Sequence, residues 1–278
     1  MEASVAAPRV IEPESGRRFP SLSELWRQRD LIYYLGRRQI LGRYQQSVVG
    51  VFWAILQPLL MATVFSVFFG LLVKVPSQPG VPYPVFAVSG MVVWMFIQDA
   101  LLKGSESMVA NEALISKIYF PRLIIPLTCM FPAALDFVFA FLVVIGSMLV
   151  YGVEFQPQIL LMPFVLLLAA ATVFGAVLWL SALNVRYRDV GQVMAFLVLV
   201  GLFISPITYP FNLVPENLQP VYALNPVVGL VEASRWTLFG SSDLTLFVLM
   251  VPVVSSLVLL VTGAAYFQRA ERSFADVI

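Results

Sequence analysis

The feature that most constrains this chain is a series of long apolar runs that carry almost no charge. The first run, residues 48–73, contains no charged side chain and follows closely on the basic stretch Arg37–Arg43. An α-helix needs about 20 apolar residues to cross a hydrocarbon layer about 30 Å thick. Five further runs follow, at 85–102, 123–151, 158–183, 193–210 and 244–267. The sequence therefore predicts an all-α integral membrane protein with six spanning helices.

The composition agrees with this class and excludes several kinds of chemistry. The chain is 60% hydrophobic and only 12% charged, whereas a soluble domain carries about 25% charged residues. It contains one cysteine, Cys129, and no histidine, so it has no internal disulfide and few ligands for zinc or haem. The commonest general base near neutral pH is also missing. We therefore expect neither a catalytic site nor a metal site.

The positions of lysine and arginine predict the orientation in the membrane. Six spans place both termini on one side, and a cytosolic N-terminus puts nearly all basic residues outside the spans on the cytosolic side as well. Only Lys74 and Arg235 then fall clearly on the outer side. This asymmetry follows the positive-inside rule, so we expect both termini to be cytoplasmic.

Several segments outside the spans have a distinct character. Residues 1–20 lack an apolar stretch and are expected to be a flexible cytosolic tail, not a signal peptide. Residues 21–46 alternate apolar side chains with arginines, which is typical of an amphipathic interface helix whose arginines meet anionic lipid headgroups. Residues 47–268 would then form the six-helix membrane domain and 269–278 a cytosolic tail. Asn225–Gly240 and Pro210–Tyr222 together suggest an outer re-entrant helical hairpin.

Two carboxylates lie inside predicted spans, Asp136 in the third and Asp99 near the end of the second. A charge at the bilayer centre costs about 2.5–3.5 kcal/mol on insertion scales, so each must face a polar partner or cavity. Asp136 is either an ion-coupling site or a structural hydrogen-bonded group, and no second intramembrane charge is evident to pair with it. Ala171 and Gly175 predict a close helix contact, within one subunit or between two.

The loop at 104–126 contains a short amphipathic piece, Ala110–Ile118, with room for about two helical turns. It suits a knob that fits a groove on another protein, or a loop helix that lies on the membrane. The chain has no GxxxxGK[ST] motif, so it has no usual cradle for nucleotide phosphates. The tryptophans suit interfacial belts, while some aromatic residues cluster near the predicted hairpin and would offer stacking faces to sugar rings: Tyr209, Phe211, Tyr222 and Trp236.

Four stretches together resemble the ABC-2 type permeases that export lipid-linked O-antigen, teichoic acid and related cell-envelope polysaccharides. They are LGRRQILGRYQQSVVGVFWAILQP at 35–58, NEALISKIYFPRLIIP at 111–126, NVRYRDVGQ at 184–192 and LNPVVGLVEASRWTLFG at 224–240. The resemblance implies the type V ABC exporter fold, with six helices, an interface helix and outer re-entrant helices. It also implies a homodimer in a bacterial inner membrane with two separate ATPase subunits, which would bind ATP and Mg²⁺. Nucleic acid is not an expected partner.

The resemblance further implies roles for particular residues. Coupling to the ATPase would involve Asn111, Leu114, Ile115, Lys117, Tyr119, Phe120, Arg122, Arg37, Arg38, Arg43 and Tyr44. The channel would be lined by Phe52, Trp53, Phe203, Tyr209 and Phe211. The outer gate would include Asn225, Pro226, Glu232, Arg235 and Trp236, with Glu232 and Arg235 spaced to pair on a helix. The alternatives are an ABC-2 exporter of small lipophilic compounds and an ion-coupled carrier that uses Asp136.

Overall fold

The computed structural model describes residues 26–45, 50–117, 120–240 and 245–277. Within these ranges the regular secondary structure is helical, and no strand occurs among them. The predicted tail at 1–20 and the beginning of the predicted interface helix lie outside the described residues. The remainder of that helix is α1 (Arg29–Tyr44). Gly36 of α1 lies directly against the ring of Phe131, so the helix packs closely on the bundle at that point.

Five helical segments are long and apolar enough to cross a membrane: Phe52–Leu72, Tyr83–Ala110, Ile124–Tyr151, Pro157–Arg186 and Leu246–Glu271. The first consists of α2 (Phe52–Phe65) and a π-helical continuation (Ser66–Leu72). The second is α3 (Tyr83–Ala110), and the third joins α5 (Ile124–Cys129) to α6 (Phe131–Tyr151). The fourth is α7 (Met162–Arg186) after a 3₁₀ turn (Pro157–Leu161), and the last lies in α11 (Leu246–Val277). Five of the six predicted runs therefore correspond to long helices.

Two predicted boundaries were wrong. The second helix, α3, continues to Ala110, well beyond the predicted end at residue 102. The fifth run forms only α8 (Val190–Phe203), whose 14 residues extend about 21 Å at 1.5 Å per residue. The helix ends before residue 210 because Pro206 and Pro210 lack the backbone N–H that a continuing helix needs, and each disfavours the helical conformation in the residue before it.

The spans differ greatly in how much of their surface the chain itself covers. The most apolar window of α3 is 72% buried, whereas that of the Phe52–Leu72 span is 11% buried. The central position of α3 places Trp94 in the core at 3% exposure, so the expectation of an interfacial belt was wrong for this tryptophan. The lightly covered first span presents its side chains to lipid or to another chain.

A glycine contact joins α7 to α11. A Cβ at Gly175 would lie 2.6 Å from the backbone of Leu259 and Leu260, and Gly263 of α11 lies against the carbonyl of Gly175. Two helix backbones meet here without side chains between them, as small residues at membrane interfaces allow. The close contact predicted from Ala171 and Gly175 is confirmed, and at Gly175 it lies within one subunit.

The region after α8 contains a 3₁₀ turn (Phe211–Leu213), the short α9 (Gln219–Tyr222) and α10 (Pro226–Phe239). The Asn225 side chain accepts a hydrogen bond from the N–H of Val227 at 3.0 Å, and Pro226 occupies the first turn. Gly240 ends the helix in the left-handed region with φ 72°, where glycine is favoured. These caps confine α10 to 14 residues, which is too short to span.

Candidate functional site

A cluster of charged side chains joins α1 to two of the membrane helices. Arg43, in the last turn of α1, places Nη1 2.5 Å from Oδ2 of Asp99 and Nη2 2.5 Å from Oδ2 of Asp136. The adjacent Tyr44 donates a hydrogen bond from its hydroxyl to Oδ1 of Asp136. Asp99 belongs to α3 and Asp136 to α6, so consecutive residues of α1 hold both helices.

The electrostatics of this cluster favour a charged Arg43 and a neutral Tyr44. Burial alone lowers the pKa of the Arg43 guanidinium, but the attraction of Asp99 and Asp136 and the hydrogen bond to Asp99 outweigh it and raise that pKa. Burial raises the pKa of the Tyr44 phenol, and its hydrogen bond to Asp136 raises it further. The cluster borders a cavity of about 120 Å³ that Trp53 also lines.

The cluster explains how Asp136 is accommodated in a span. The sequence showed no opposite charge inside the membrane to pair with Asp136, but Arg43 supplies one from the end of the interface helix. Among the two interpretations of Asp136, the geometry fits the structural hydrogen-bonded group. One signal was available in the sequence: Arg43 is the last charged residue before the first span, so its side chain was placed to reach carboxylates at the same membrane edge.

A second ion pair lies in α10, far along the chain from Arg43. Arg235 Nη1 is 3.1 Å from Oε1 of Glu232, and both side chains are completely buried. The guanidinium also donates to the carbonyl of Pro206 at 2.6 Å and to that of Ile207 at 2.8 Å. Its Cζ lies 3.7 Å from the ring centroid of Phe86. The predicted pairing is confirmed, but it occurs in the protein interior and not at the membrane interface.

This pair supports a piece of non-helical backbone. The carbonyls of 206 and 207 lie just beyond the end of α8 and have no helical partner, and unsatisfied backbone groups in a membrane protein cost several kcal/mol each. Arg235 supplies donors to both. Gly90 of α3 makes the room, since a Cβ there would lie 2.8 Å from Arg235 Nη2 and 2.9 Å from the Ile207 carbonyl oxygen.

Three further side chains hold the same segment. Asn225 donates from Nδ2 to the Ser205 hydroxyl at 3.1 Å. Tyr83 donates to the carbonyl of Thr208 at 2.6 Å. The Tyr209 hydroxyl donates to the carbonyl of Phe203 at 2.9 Å. The non-helical segment after α8 is therefore fixed by hydrogen bonds from the start of α3, from the residue that caps α10 and from Tyr209 within the segment itself.

The predicted channel residues lie in different surroundings. Phe52 and Trp53 of α2 and Phe203 at the end of α8 are exposed. Tyr209 is half-buried, and its hydroxyl lies 3.0 Å from that of Tyr222. Phe211 is buried in a small apolar cluster with Val228 and Val248. The exposed aromatic side chains thus lie on α2 and α8, while Phe211 packs within its own chain.

The predicted coupling piece is shorter than expected, because α3 extends to Ala110 and leaves only the single turn α4 (Glu112–Ile115). Ile115 and Phe120 are buried in an apolar cluster that also contains Phe267 and Phe274 of α11. Lys117 is exposed, and Asn111 and Leu114 are half-buried. Tyr119 lies outside the described residues. The loop is therefore anchored inward by its large apolar side chains and presents its polar ones outward.

The same apolar cluster brings three parts of the chain together. Leu31 of α1 packs against it, and Arg122 donates to the carbonyl of Glu271 in α11 at 2.7 Å. Arg37 and Arg38 of α1 are exposed. The interface helix, the α4 loop and the end of α11 consequently lie at one end of the molecule. Of the remaining predicted gate residues, Pro226 and Trp236 are half-buried.

These features, a bundle of long apolar helices with an amphipathic helix and a short loop helix at one end, suit the membrane subunit of a transporter. Residues 30–239 match the family described as "ABC-2 type transporter", and the chain belongs to this family.

Relatives cover almost the whole length of the chain. It is 26% identical over 252 residues to the O-antigen export system permease protein RfbA of Klebsiella pneumoniae, a match that covers 90% of this chain and 95% of that one. It is 24% identical to RfbA of Myxococcus xanthus, with 92% and 98% covered. It is also 24% identical to the capsule polysaccharide export inner-membrane protein CtrC of Neisseria meningitidis serogroup B, with 87% and 91% covered.

Proposed function

We propose that this chain is the membrane permease subunit of an ATP-driven exporter that moves lipid-linked polysaccharide across the bacterial cytoplasmic membrane. The observation that carries the proposal is the match, over about nine-tenths of the chain, to permeases of O-antigen and capsule export. The substrate would be a cell-envelope glycan of O-antigen, teichoic acid or capsule type. ATP and Mg²⁺ would be bound by two partner ATPase subunits and not by this chain.

The proposed topology has six membrane crossings and two cytoplasmic termini. Five crossings correspond to the long helices, and the sixth would combine α8 with the non-helical segment that follows it. An even number of crossings agrees with the meeting of α1, the α4 loop and α11 at one end of the molecule. That end carries Arg37, Arg38 and Lys117 and would be cytoplasmic by the positive-inside rule. The α10 region, with its gate residues, would then lie towards the outer face as a re-entrant element.

The ATPase would dock on the cytoplasmic end. Its contact surface would comprise the exposed face of α1 with Arg37 and Arg38, and the outward side chains of the α4 loop, including Lys117. The burial of Ile115 and Phe120 in a cluster with α11 supports force transfer, because a loop anchored in the bundle moves the bundle when it is pushed.

A homodimer would provide the passage. The Phe52–Leu72 span is only 11% buried by its own chain, and half of the residues of α8 are exposed, so both can face a second copy. The exposed rings of Phe52, Trp53 and Phe203 would then offer flat apolar faces to the sugar rings, while the sugar hydroxyls remain hydrated. Stacking of this kind permits movement because it does not fix one hydrogen-bonded pose.

Deletion of the gene in its native host tests the proposal. Lipid-linked glycan is measured on each side of the cytoplasmic membrane, and surface polysaccharide is measured in parallel. We expect glycan to accumulate inside and surface polysaccharide to disappear, with both restored by the gene on a plasmid. Normal surface glycan without internal accumulation would refute polysaccharide export and favour a small lipophilic substrate.

A further inference from the structure

We propose that Arg43, through Asp99 and Asp136, is the positioning residue that passes movement of the interface helix α1 to the membrane helices α3 and α6. We call these three side chains, together with Tyr44, the latch. The inference rests on the proposed function, since it assigns how this permease receives the work of its ATPase.

The geometry of the latch supports transmission in two directions at once. The two terminal nitrogens of one guanidinium contact carboxylates on two different helices, each at 2.5 Å. A planar guanidinium fixes both contacts in direction as well as distance, whereas the ammonium of lysine is a point charge on a flexible stem. The hydrogen bond from Tyr44 to Asp136 adds a second link from the adjacent residue. A displacement of the end of α1 would therefore shift both helices together.

The other described contacts of α1 are of a different kind. Leu31 packs in the apolar cluster with the α4 loop and α11, and Gly36 lies on the ring of Phe131. Such contacts transmit a push between packed surfaces, but they do not join fixed pairs of polar atoms as the latch does. In the described part of α1, the latch connects the helix to the spans through polar contacts between fixed pairs of atoms. It lies at the end of α1 that leads into the first span, where movement must pass into the membrane.

The helices that the latch holds are suited to spread the movement. Asp99 belongs to α3, the most buried of the spans that the structure describes, which also contacts the outer ion pair through Gly90 and Phe86. A shift of α3 at the latch would thus reach Arg235 and the non-helical segment after α8 through one continuous helix. The latch and the proposed outer gate are consequently attached to the same rigid element.

A role of the latch in transmitting movement can be distinguished from a role in stabilising the fold. Removing only the cation leaves two partly buried carboxylates without their partner, which destabilises a protein for reasons unrelated to transport. Replacing all three charged groups by neutral ones of similar shape removes that penalty, and such replacements are often neutral in stability. A structural role would be restored in the neutral variant, but a transmitting role would not.

The test uses the complete transporter, with its ATPase subunits, in inverted inner-membrane vesicles that carry the host's own radiolabelled lipid-linked glycan. Export is measured as protection of the label from an added glycosidase, and ATP hydrolysis is measured in the same vesicles. The variants are Arg43→Met/Asp99→Asn/Asp136→Asn and Arg43→Lys. Arg188→Met, an exposed arginine between α7 and α8 that has no assigned role in docking or in the latch, is the control.

We expect the neutral triple variant to assemble with the ATPase and hydrolyse ATP, but to export at least about tenfold less glycan per ATP. Arg43→Lys should lower the same ratio with assembly intact, while Arg188→Met should keep it within about twofold of the wild type. A normal ratio in the triple variant would overturn the proposal. If the triple variant fails to assemble, Arg43→Lys decides: an unchanged ratio overturns the latch and a lowered one supports it. Absence of glycan export by the wild type would instead refute the proposed function.

Discussion

The packing of Arg235 against Gly90 makes a strong prediction about stability. In Gly90→Ala the new methyl carbon would lie 2.8 Å from Nη2 of Arg235 and 2.9 Å from the carbonyl oxygen of Ile207. The Ile207 backbone is held by the same guanidinium, so both neighbours must move together. The matched control is Gly146→Ala in α6, where a Cβ meets nothing within 4 Å.

The magnitude follows from three contributions. Alanine is favoured over glycine in a helix interior by about 1 kcal/mol. Overpacking a tight site costs about 1–3 kcal/mol, and a weakened hydrogen bond to a charged group costs about 1.5–3 kcal/mol. With the guanidinium displaced from the carbonyls of 206 and 207, we expect Gly90→Ala to lose about 1.5–5 kcal/mol of unfolding free energy. Gly146→Ala should be neutral or gain up to about 1 kcal/mol.

The assay is thermal unfolding of the purified protein in detergent, followed by loss of the monodisperse peak in size-exclusion chromatography. A change of 1 kcal/mol shifts the midpoint of a chain of this size by about 2–4 °C, so Gly90→Ala should unfold about 3–20 °C below the wild type. Gly146→Ala should unfold at or slightly above it. Equal midpoints for the two variants would refute the packing of the guanidinium against Gly90.

Three further predictions concern the docking loop, a helix contact and a tyrosine. Lys117→Glu should reduce the amount of ATPase that co-purifies with the permease without changing the melting temperature. Phe120→Ala instead removes a buried ring and should lower stability by about 3–5 kcal/mol. Full recovery of the ATPase with Lys117→Glu would contradict the coupling assignment. Gly175→Leu drives a side chain into the α11 backbone and should abolish accumulation of folded protein in the membrane. Gly146→Leu should be tolerated. Equal yields of the two variants would argue against the contact. Burial, followed by the hydrogen bond with Tyr209, raises the pKa of Tyr222. It should thus stay neutral in the folded state at about pH 11, above the usual tyrosine pKa of about 10; ultraviolet titration against Tyr222→Phe checks this, and a tyrosinate signal lost in the variant would contradict it.

The sequence was most informative where the bilayer itself dictates the structure. Hydrocarbon disfavours charges and requires every backbone group to be hydrogen-bonded inside the protein, most simply within a helix, so the long, nearly uncharged runs identified five spanning helices with few alternatives. The spacing of Glu232 and Arg235 likewise predicted their ion pair, because residues three apart on a helix are neighbours. Gly175 signalled a close contact for a similarly local reason.

The sequence was less informative about the fifth run. Apolarity continues from residue 193 to 210, but α8 ends at Phe203 and the chain beyond it is held by Arg235, Asn225 and Tyr83. Hydropathy measures the preference of side chains for the membrane and not the bonding of their backbone. The two prolines marked the break, yet the donors that make it tolerable come from distant parts of the chain.

By itself, then, the sequence determined the membrane class, the helical character, the family motifs and the absence of a nucleotide-phosphate loop, because these depend on composition and local pattern. Only the tertiary structure decided which charges meet. Arg43 joins Asp99 and Asp136 across three helices, and Arg235 lies under Phe86 and against Gly90. Both arrangements depend on how helices distant in sequence pack. Because an unpaired charge is costly in this environment, the positions of its partners are set by the fold and not by neighbours in the chain.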